Sequence, residues 1–328
     1  MIDKLSLAKP IALGLLVVAA ALLPLGLDAY LMHWVITTLM FIMLALAWDI
    51  LARTGQVSFG HAAFWGLGAY ATVLLVKHLQ LPQLAAALVA ALCVGLAAAV
   101  ASVLLLRVRG IYFAILTLAC TEVLRVLATM LETVTGGAMG MSVEPLFGGS
   151  GRPTYYVLLA AVVVTITAIR LFERSRFNYA FAAIRTSPDV AAAFGVSVRL
   201  LKMTAFATSA ALTGFVGGIY ALHTTYINPE SAFDTAVSVS AVIMCIVGGL
   251  YTIPGVVIGA VVLTLLQEIL RIYFAQGALL IYGAILVAAI LFFPNGIVGV
   301  MAHVRRTRRS NNPPPKSEAA DAPSSKSL

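Results

Sequence analysis

Long apolar runs recur along this chain, separated by short polar interruptions. A helix crossing a bilayer needs roughly 20 apolar residues. Ten stretches reach or approach that length: 11–29, 33–51, 57–76, 84–106, 111–131, 154–171, 201–222, 235–250, 254–274 and 278–294. The pattern predicts an all-α, polytopic transmembrane bundle of about ten spans. Two runs are less regular than the rest. The 57–76 run is rich in glycine, which leaves a broken or re-entrant segment open beside a straight span. The 235–250 run is short and ends at Gly248–Gly249.

Composition supports the same class. Apolar residues make up 61% of the 328 positions and charged residues 10%, against about 45–50% and 25% in ordinary globular domains. Mean hydropathy is +1.01, which excludes a soluble fold of this length. The net charge of +8 is distributed as a topology signal, so no nucleic-acid partner is expected. With ten spans and a cytoplasmic N-terminus, Lys4, Lys9, Arg53, Arg107, Arg109, the Arg170–Lys202 group and the tail from Arg305 fall on the cytoplasmic side. Only Lys77 and Arg152 fall in outer loops, and both termini are expected in the cytoplasm. The start of the chain mimics a signal peptide, but the many spans behind it favour an uncleaved first helix. Residues 1–303 form the membrane domain. Residues 304–328 read as a disordered basic tail held near anionic headgroups of the lipid bilayer.

The longest basic interruption, residues 170–202, also has the marks of a short helix. Ser187 suits the N-cap, Pro188 the first helical position, and Asp189 the positive end of the dipole. Val190, Phe194 and Val198 repeat every four residues, while Gly195 offers a stop. A capped helix in a basic loop of a membrane protein is a surface for a soluble partner.

Other candidate chemistry is sparse. Ser58, Ala62 and Gly66, then Ala210, Gly214 and Gly218, then Gly255 and Gly259 form small-residue stripes. They suit close helix packing and, beyond that, helices that slide. Asp49, His61, Glu122, Arg125, Glu268 and Arg271 lie in or at the ends of spans, where ionisable groups are costly and are candidates for function. Glu122–Arg125 and Glu268–Arg271 are each spaced i, i+3, so local pairing competes with that role. His61 reads as a packed polar residue. Cys93, Cys120 and Cys245 lie apart in apolar runs, with neither disulfide nor metal spacing. The run Thr135, Gly136, Gly137, Ala138, Met139, Gly140 sits in the outer loop 132–153. It reads as a flexible loop or as a backbone gate with exposed N–H groups. The chain contains no G-x-x-x-x-G-K-[ST] phosphate loop, H-E-x-x-H or G-x-S-x-G. It is expected to be neither an ATPase nor another enzyme and to bind no cofactor or metal. The Ser58–His61 pair lacks a third orienting group for a hydrolase.

Seven stretches, taken together, resemble a known family. They are 54–70 (TGQVSFGHAAFWGLGAY), 107–119 (RVRGIYFAILTLA), 135–140 (TGGAMG), 182–196 (AAIRTSPDVAAAFGV), 202–221 (KMTAFATSAALTGFVGGIYA), 247–260 (VGGLYTIPGVVIGA) and 293–299 (FPNGIVG). Their order and content resemble the LivM-type permease subunits of bacterial branched-chain amino-acid ABC importers, and they cover nearly the whole chain. The resemblance implies a bacterial inner-membrane permease paired with a second, homologous permease subunit. It further implies two cytoplasmic ATPase subunits that use ATP and a periplasmic substrate-binding protein. The coupling loop would be 172–200, with Ala183, Ile184, Arg185, Pro188, Asp189, Ala191, Phe194 and Gly195 as the residues that couple it to the ATPase. Thr186 and Ser187 depart from the family pattern, where an acidic residue often follows the arginine. Thr117, Glu122, Thr135, Gly136, Gly137 and Gly140 are candidates for the substrate path or gate. Urea or short amides are alternative cargo within the family, and a stand-alone channel or secondary transporter is the rival class.

Overall fold

The computed structural model describes residues 19–273 together with 283, 287 and 296. Its long helices are α1 (Ala29–Ala52), α2 (His61–Leu79), α3 (Gln83–Leu105) and α4 (Ile111–Met130). A one-turn helix α5 (Glu132–Thr135) precedes α6 (Gly151–Glu173), α7 (Arg176–Thr186), α8 (Pro188–Ala193) and α9 (Val198–Thr224). A second short turn, α10 (Pro229–Ala232), leads into α11 (Thr235–Gly248), and α12 (Ile253–Tyr273) follows. Two strands of two residues each, β1 (Met141–Ser142) and β2 (Tyr226–Ile227), pair antiparallel. Eight helices are long and apolar enough to cross a membrane, counting α10 and α11 as one span. They match the second to ninth apolar runs. The tenth run and the 304–328 tail lie outside the described residues. Of the first run only its end is described, with residues 19–22 helical. There the hydroxyls of Tyr155 and Tyr156 donate to the carbonyls of Ala20 (2.6 Å) and Ala21 (3.1 Å).

Helix α1 is the axis. In its span, 78% of residues are buried, against 28% for α4 and α6, and it packs against α6, α9, α11 and α12. Lipid tails are as apolar as leucine, so burial supplies little drive between helices and close packing must supply it. The small residues do this. A Cβ on Gly68 would lie 2.0 Å from the Gly214 carbonyl oxygen, and one on Gly217 would lie 2.1 Å from that of Trp65. Helices α2 and α9 therefore meet backbone to backbone. Helices α11 and α12 do the same through Gly248 and Gly259. The stripe expected on α2 is shifted: Gly66 accommodates the Phe233 ring, and Gly68 makes the helix contact.

Short connections make the spans alternate in direction, which gives the bundle two ends. One gathers the end of α1, the α3–α4 turn, α7, α8 and the α11–α12 turn, and carries Arg53, Arg107, Arg109, Arg174 and Arg185. We call it the basic end. The other gathers the α2–α3 and α9–α10 connections and residues 131–150.

The glycine-rich third run, open on sequence alone between a straight and a broken segment, is straight over 61–79, where α2 is continuous, and irregular over its first residues, 57–60. The irregular stretch begins at Arg53, and much of it is buried. Residues 223–234 are polar enough to read as an outer loop, yet Ile227, Pro229, Ala232 and Phe233 are buried. They fold back into the bundle, placing Phe233 against Gly66, thirteen residues and roughly 20 Å along the axis from the end of α2. Helix α11, with 14 residues, spans roughly 21 Å. That is short of the ~30 Å hydrocarbon thickness, so α11 begins inside the bundle.

Candidate functional site

At the basic end, α8 is built as its sequence predicts. The Ser187 side chain accepts from the Val190 N–H (3.4 Å), and Pro188 opens the helix. At the other end Gly195 takes φ +80°. The Val196 N–H reaches the Ala191 carbonyl (3.1 Å) and the Gly195 N–H that of Ala192 (2.9 Å), a Schellman closure. Ala191 and Ile184 are buried, whereas Ala183 and Arg185 are exposed. Val190 and Phe194 do not pack inward, and Phe194 is 84% exposed. Tyr179 and Phe177 are exposed beside them, which leaves aromatic surface among arginines. Asp189 meets Arg109 at 3.2 Å with both side chains mostly in solvent. Such a pair contributes roughly 0.2–1 kcal/mol, so the caps and the buried Ala191 hold α8 in place.

Beneath α7 lies a buried charge network. Asp49 is fully buried and accepts from Arg53 Nε at 2.8 Å. Its other oxygen accepts from the Tyr251 N–H at 2.9 Å. Arg53 extends to Glu173 at the end of α6 (2.9 Å) and to the Tyr251 carbonyl (3.3 Å). The guanidinium of Arg185 lies 4.0 Å from the centre of the Tyr251 ring. Gly55, at φ +79°, brings the α1–α2 turn against the Arg185 backbone. A cavity of about 350 Å³ lies among Arg53, Glu173, Phe181, Arg185 and Tyr251. The α11–α12 turn is thus joined to α7 through Tyr251 and Arg185, and the α1–α2 turn through Gly55. Both turns are tied to the end of α6 by the charge network. A buried pair that loses one member costs roughly 3–5 kcal/mol, so the Asp49–Arg53 pair contributes substantially to holding these ends together.

In the middle of the bundle, polar residues complete the irregular start of α2. Ser58 Oγ accepts from the Gly60 N–H (3.1 Å), Thr117 Oγ1 from the Phe59 N–H (3.1 Å), and Ser238 Oγ from the Ala62 N–H (2.7 Å). Unpaired backbone is costly at this depth, and hydroxyls from α4 and α11 supply the missing acceptors. His61 is bonded to Ser209 Oγ (2.8 Å), which itself donates to the Ala47 carbonyl (2.6 Å). The proton in the first contact is therefore on His61 Nε2. His61 is a packed polar residue, and its partner is Ser209 rather than Ser58.

The path candidates separate. Thr117 is buried and serves the α2 start. Thr135 donates to the Leu131 carbonyl (2.8 Å) and accepts from the Gly137 N–H (3.2 Å). Gly136, Gly137 and Gly140 all have positive φ. A Cβ on Gly140 would lie 2.1 Å from the Ile227 carbonyl oxygen, so this loop is clamped to the returning segment. Of the six, Glu122 alone lines a polar cavity, of about 450 Å³, shared with Arg125, Asn228, Glu230, Phe233 and Asp234. Glu122 and Arg125 form the expected local pair, with Arg125 Nε 3.0 Å from one carboxylate oxygen. Glu268 and Arg271 pair as well, at 3.0 Å. Asn228, Glu230 and Asp234 were hidden from pattern reading because they sit in an apparent loop. The short eighth run was the signal that something re-enters there.

The chain matches the family described as "Branched-chain amino acid transport system / permease component" over residues 30–292. It is 29% identical over 295 residues to the high-affinity branched-chain amino acid transport system permease protein LivM of Escherichia coli (strain K12). That match covers 80% of this chain and 68% of the relative. The protein of the same name from Salmonella typhimurium is 28% identical with the same coverage. The L-arabinose ABC transporter permease protein AraH of Azospirillum brasilense is 30% identical over 241 residues, 70% of this chain and 68% of its own. No solved structure matches.

Proposed function

This chain belongs to the family of branched-chain amino acid transport system permease components, and we propose that it forms one membrane-spanning half of an ATP-driven importer of amino acids. The second half would be a homologous permease, packed against the little-buried α4 side. Two cytoplasmic ATPase subunits would dock on α7 and α8, and a periplasmic binding protein would deliver cargo at the opposite end. The protein would sit in a bacterial inner membrane with its basic end in the cytoplasm, following the distribution of arginine. This chain would bind no nucleotide.

The observation that supports this reading best is the construction of the basic end. A helix capped at both termini displays Val190 and Phe194 outward, and Arg185 on the neighbouring α7 turns its guanidinium onto Tyr251. The same region is bound inward, through Tyr251, to a buried Asp49–Arg53 pair on the central helix. Closure of an ATPase dimer against α8 would push on α7, and the charge network would pass that displacement to α1, α6 and the α11–α12 turn. Coupled motion of this kind needs rigid links, and buried ion pairs supply them.

A neutral sugar is the second reading, carried by the likeness to the arabinose permease. Uptake by the reconstituted transporter separates the two: L-leucine accumulation driven by ATP supports the amino-acid reading, and L-arabinose accumulation in its place overturns it. For the coupling role, Arg185→Ala combined with Gly195→Ala is expected to weaken co-purification of the ATPase subunits and to lower uptake. Normal values of both would exclude it.

A further inference from the structure

The polar cavity beside α4 is a place where charge is hard to explain by folding alone. Glu122 and Arg125 lie 11 and 14 residues from Ile111, roughly 17 and 21 Å along the axis from the basic end. Thr235, at the start of α11, is 13 residues from Gly248 and so roughly 20 Å from the same end. The two elements meet within the spans, beyond their middle and toward the end opposite the basic one. An ionised group is still costly there and marks a substrate or ion path by default. The cavity holds three carboxylates against one guanidinium. Glu122 is paired with Arg125, and Asp234 caps α11 through the Ala236 N–H (2.8 Å). Glu230 has no ion-pair or hydrogen-bond partner among the described residues. The wall behind is also incomplete in its bonding. Phe233 stacks on Tyr70 with ring centres 5.9 Å apart, and the buried Tyr70 hydroxyl has no partner among the described residues.

We propose that this cavity is the station at which the transporter receives the charged end of an α-amino acid, with Arg125 facing its carboxylate and Glu230 its ammonium. The inference rests on the amino-acid reading above and adds the residues that would carry it. Both charge signs within one cavity suit a zwitterion. A neutral sugar leaves the cavity charges unmatched, and a simple anion meets an excess of carboxylates. The apolar contribution is confined to Phe233, so the station reads the group common to amino acids and leaves the side chain to other contacts. Helices interrupted within the membrane are a recurrent way to build such sites, because the break frees polar backbone where cargo passes.

The test uses the complete transporter in proteoliposomes with its binding protein, ATP and radiolabelled L-leucine. Glu230→Gln removes one charge without breaking a bond seen in the structure. Arg125→Gln removes the other. Each is expected to reduce uptake about tenfold or more, the scale of one charge-assisted contact, with the ATPase subunits still co-purifying. The reversed pair Glu122→Arg with Arg125→Glu keeps the local ion pair but moves the charges. It is expected to stay defective. Wild-type uptake in both single variants, or restored uptake in the reversed pair, would show that cargo does not meet these charges and overturn the station while leaving the proposed function standing. Wild-type accumulation of L-arabinose instead of L-leucine would remove both.

Discussion

The basic end and the polar cavity both contain charges at membrane depth or at its edge, yet they are built in opposite ways. At the basic end every buried charge is matched: Asp49 by Arg53 and a backbone N–H, Arg53 by Glu173 and a carbonyl. Asp49 and Arg53 are themselves one turn apart, but their bonds to Glu173 and Tyr251 join segments more than a hundred residues apart. In the cavity the matched pair is local, within one turn of α4, and the remaining carboxylates are in excess. The difference separates charge used to transmit force from charge held ready for cargo. A transmission element must be saturated, because any slack absorbs the movement. A binding element must be left partly unsatisfied, because its last partner arrives and leaves.

Breaking the saturated side has the largest expected effect. Arg53→Ala strands Asp49 in the protein interior and should lower stability by roughly 3–5 kcal/mol. A large fall in the thermal midpoint of the purified protein checks this, and an unchanged midpoint would show that the network carries no load. Gly68→Ala places a methyl group against the Gly214 carbonyl and should cost about 1–3 kcal/mol through overpacking, read the same way. Gly195→Ala forces a side chain into the left-handed region, at about 1–2 kcal/mol confined to α8. It is expected to raise amide exchange in residues 188–196 with little change in the global midpoint. Asp189→Asn removes a solvent-exposed pair worth less than about 1 kcal/mol and should leave the thermal midpoint close to wild type. The cavity variants sharpen the contrast from the other side, since Glu230→Gln should affect uptake and not the midpoint.

Much of the basic end was legible in the chain because its determinants are local. Ser187, Pro188 and Gly195 act over three or four positions, and the structure puts each where the cap rules require. The i, i+3 pairs at Glu122 and Glu268 were legible for the same reason. The network under α7 was not. Asp49 and Arg53 are four apart, but nothing near them announces Glu173 or Tyr251, which reach them only when α6 and the α11–α12 turn have packed. The cavity was hidden more deeply. Residues 223–234 look like an outer loop by polarity, and their return into the bundle depends on Gly66 leaving space for Phe233 and on Gly140 admitting Ile227. Hydropathy marks where a segment is able to cross a membrane, and it is silent on polar backbone sheltered by neighbouring helices. The glycine-rich third run, open between a straight and a broken segment on sequence alone, is irregular over 57–60 and straight from His61, where its glycines serve close packing.

The central claim is that α8 faces the ATPase while the clamped 135–140 loop faces the other side of the membrane. Phe194 and Met139 are matched probes, at 84% and 83% exposure on opposite ends of the bundle. Each is replaced by cysteine in the assembled transporter, in a background where Cys93, Cys120 and Cys245 are serine, and treated with a short bifunctional crosslinker. The account predicts an adduct with an ATPase subunit from Phe194→Cys and none from Met139→Cys. An ATPase adduct from Met139→Cys, or its absence from Phe194→Cys in a transporter that still imports, would contradict it.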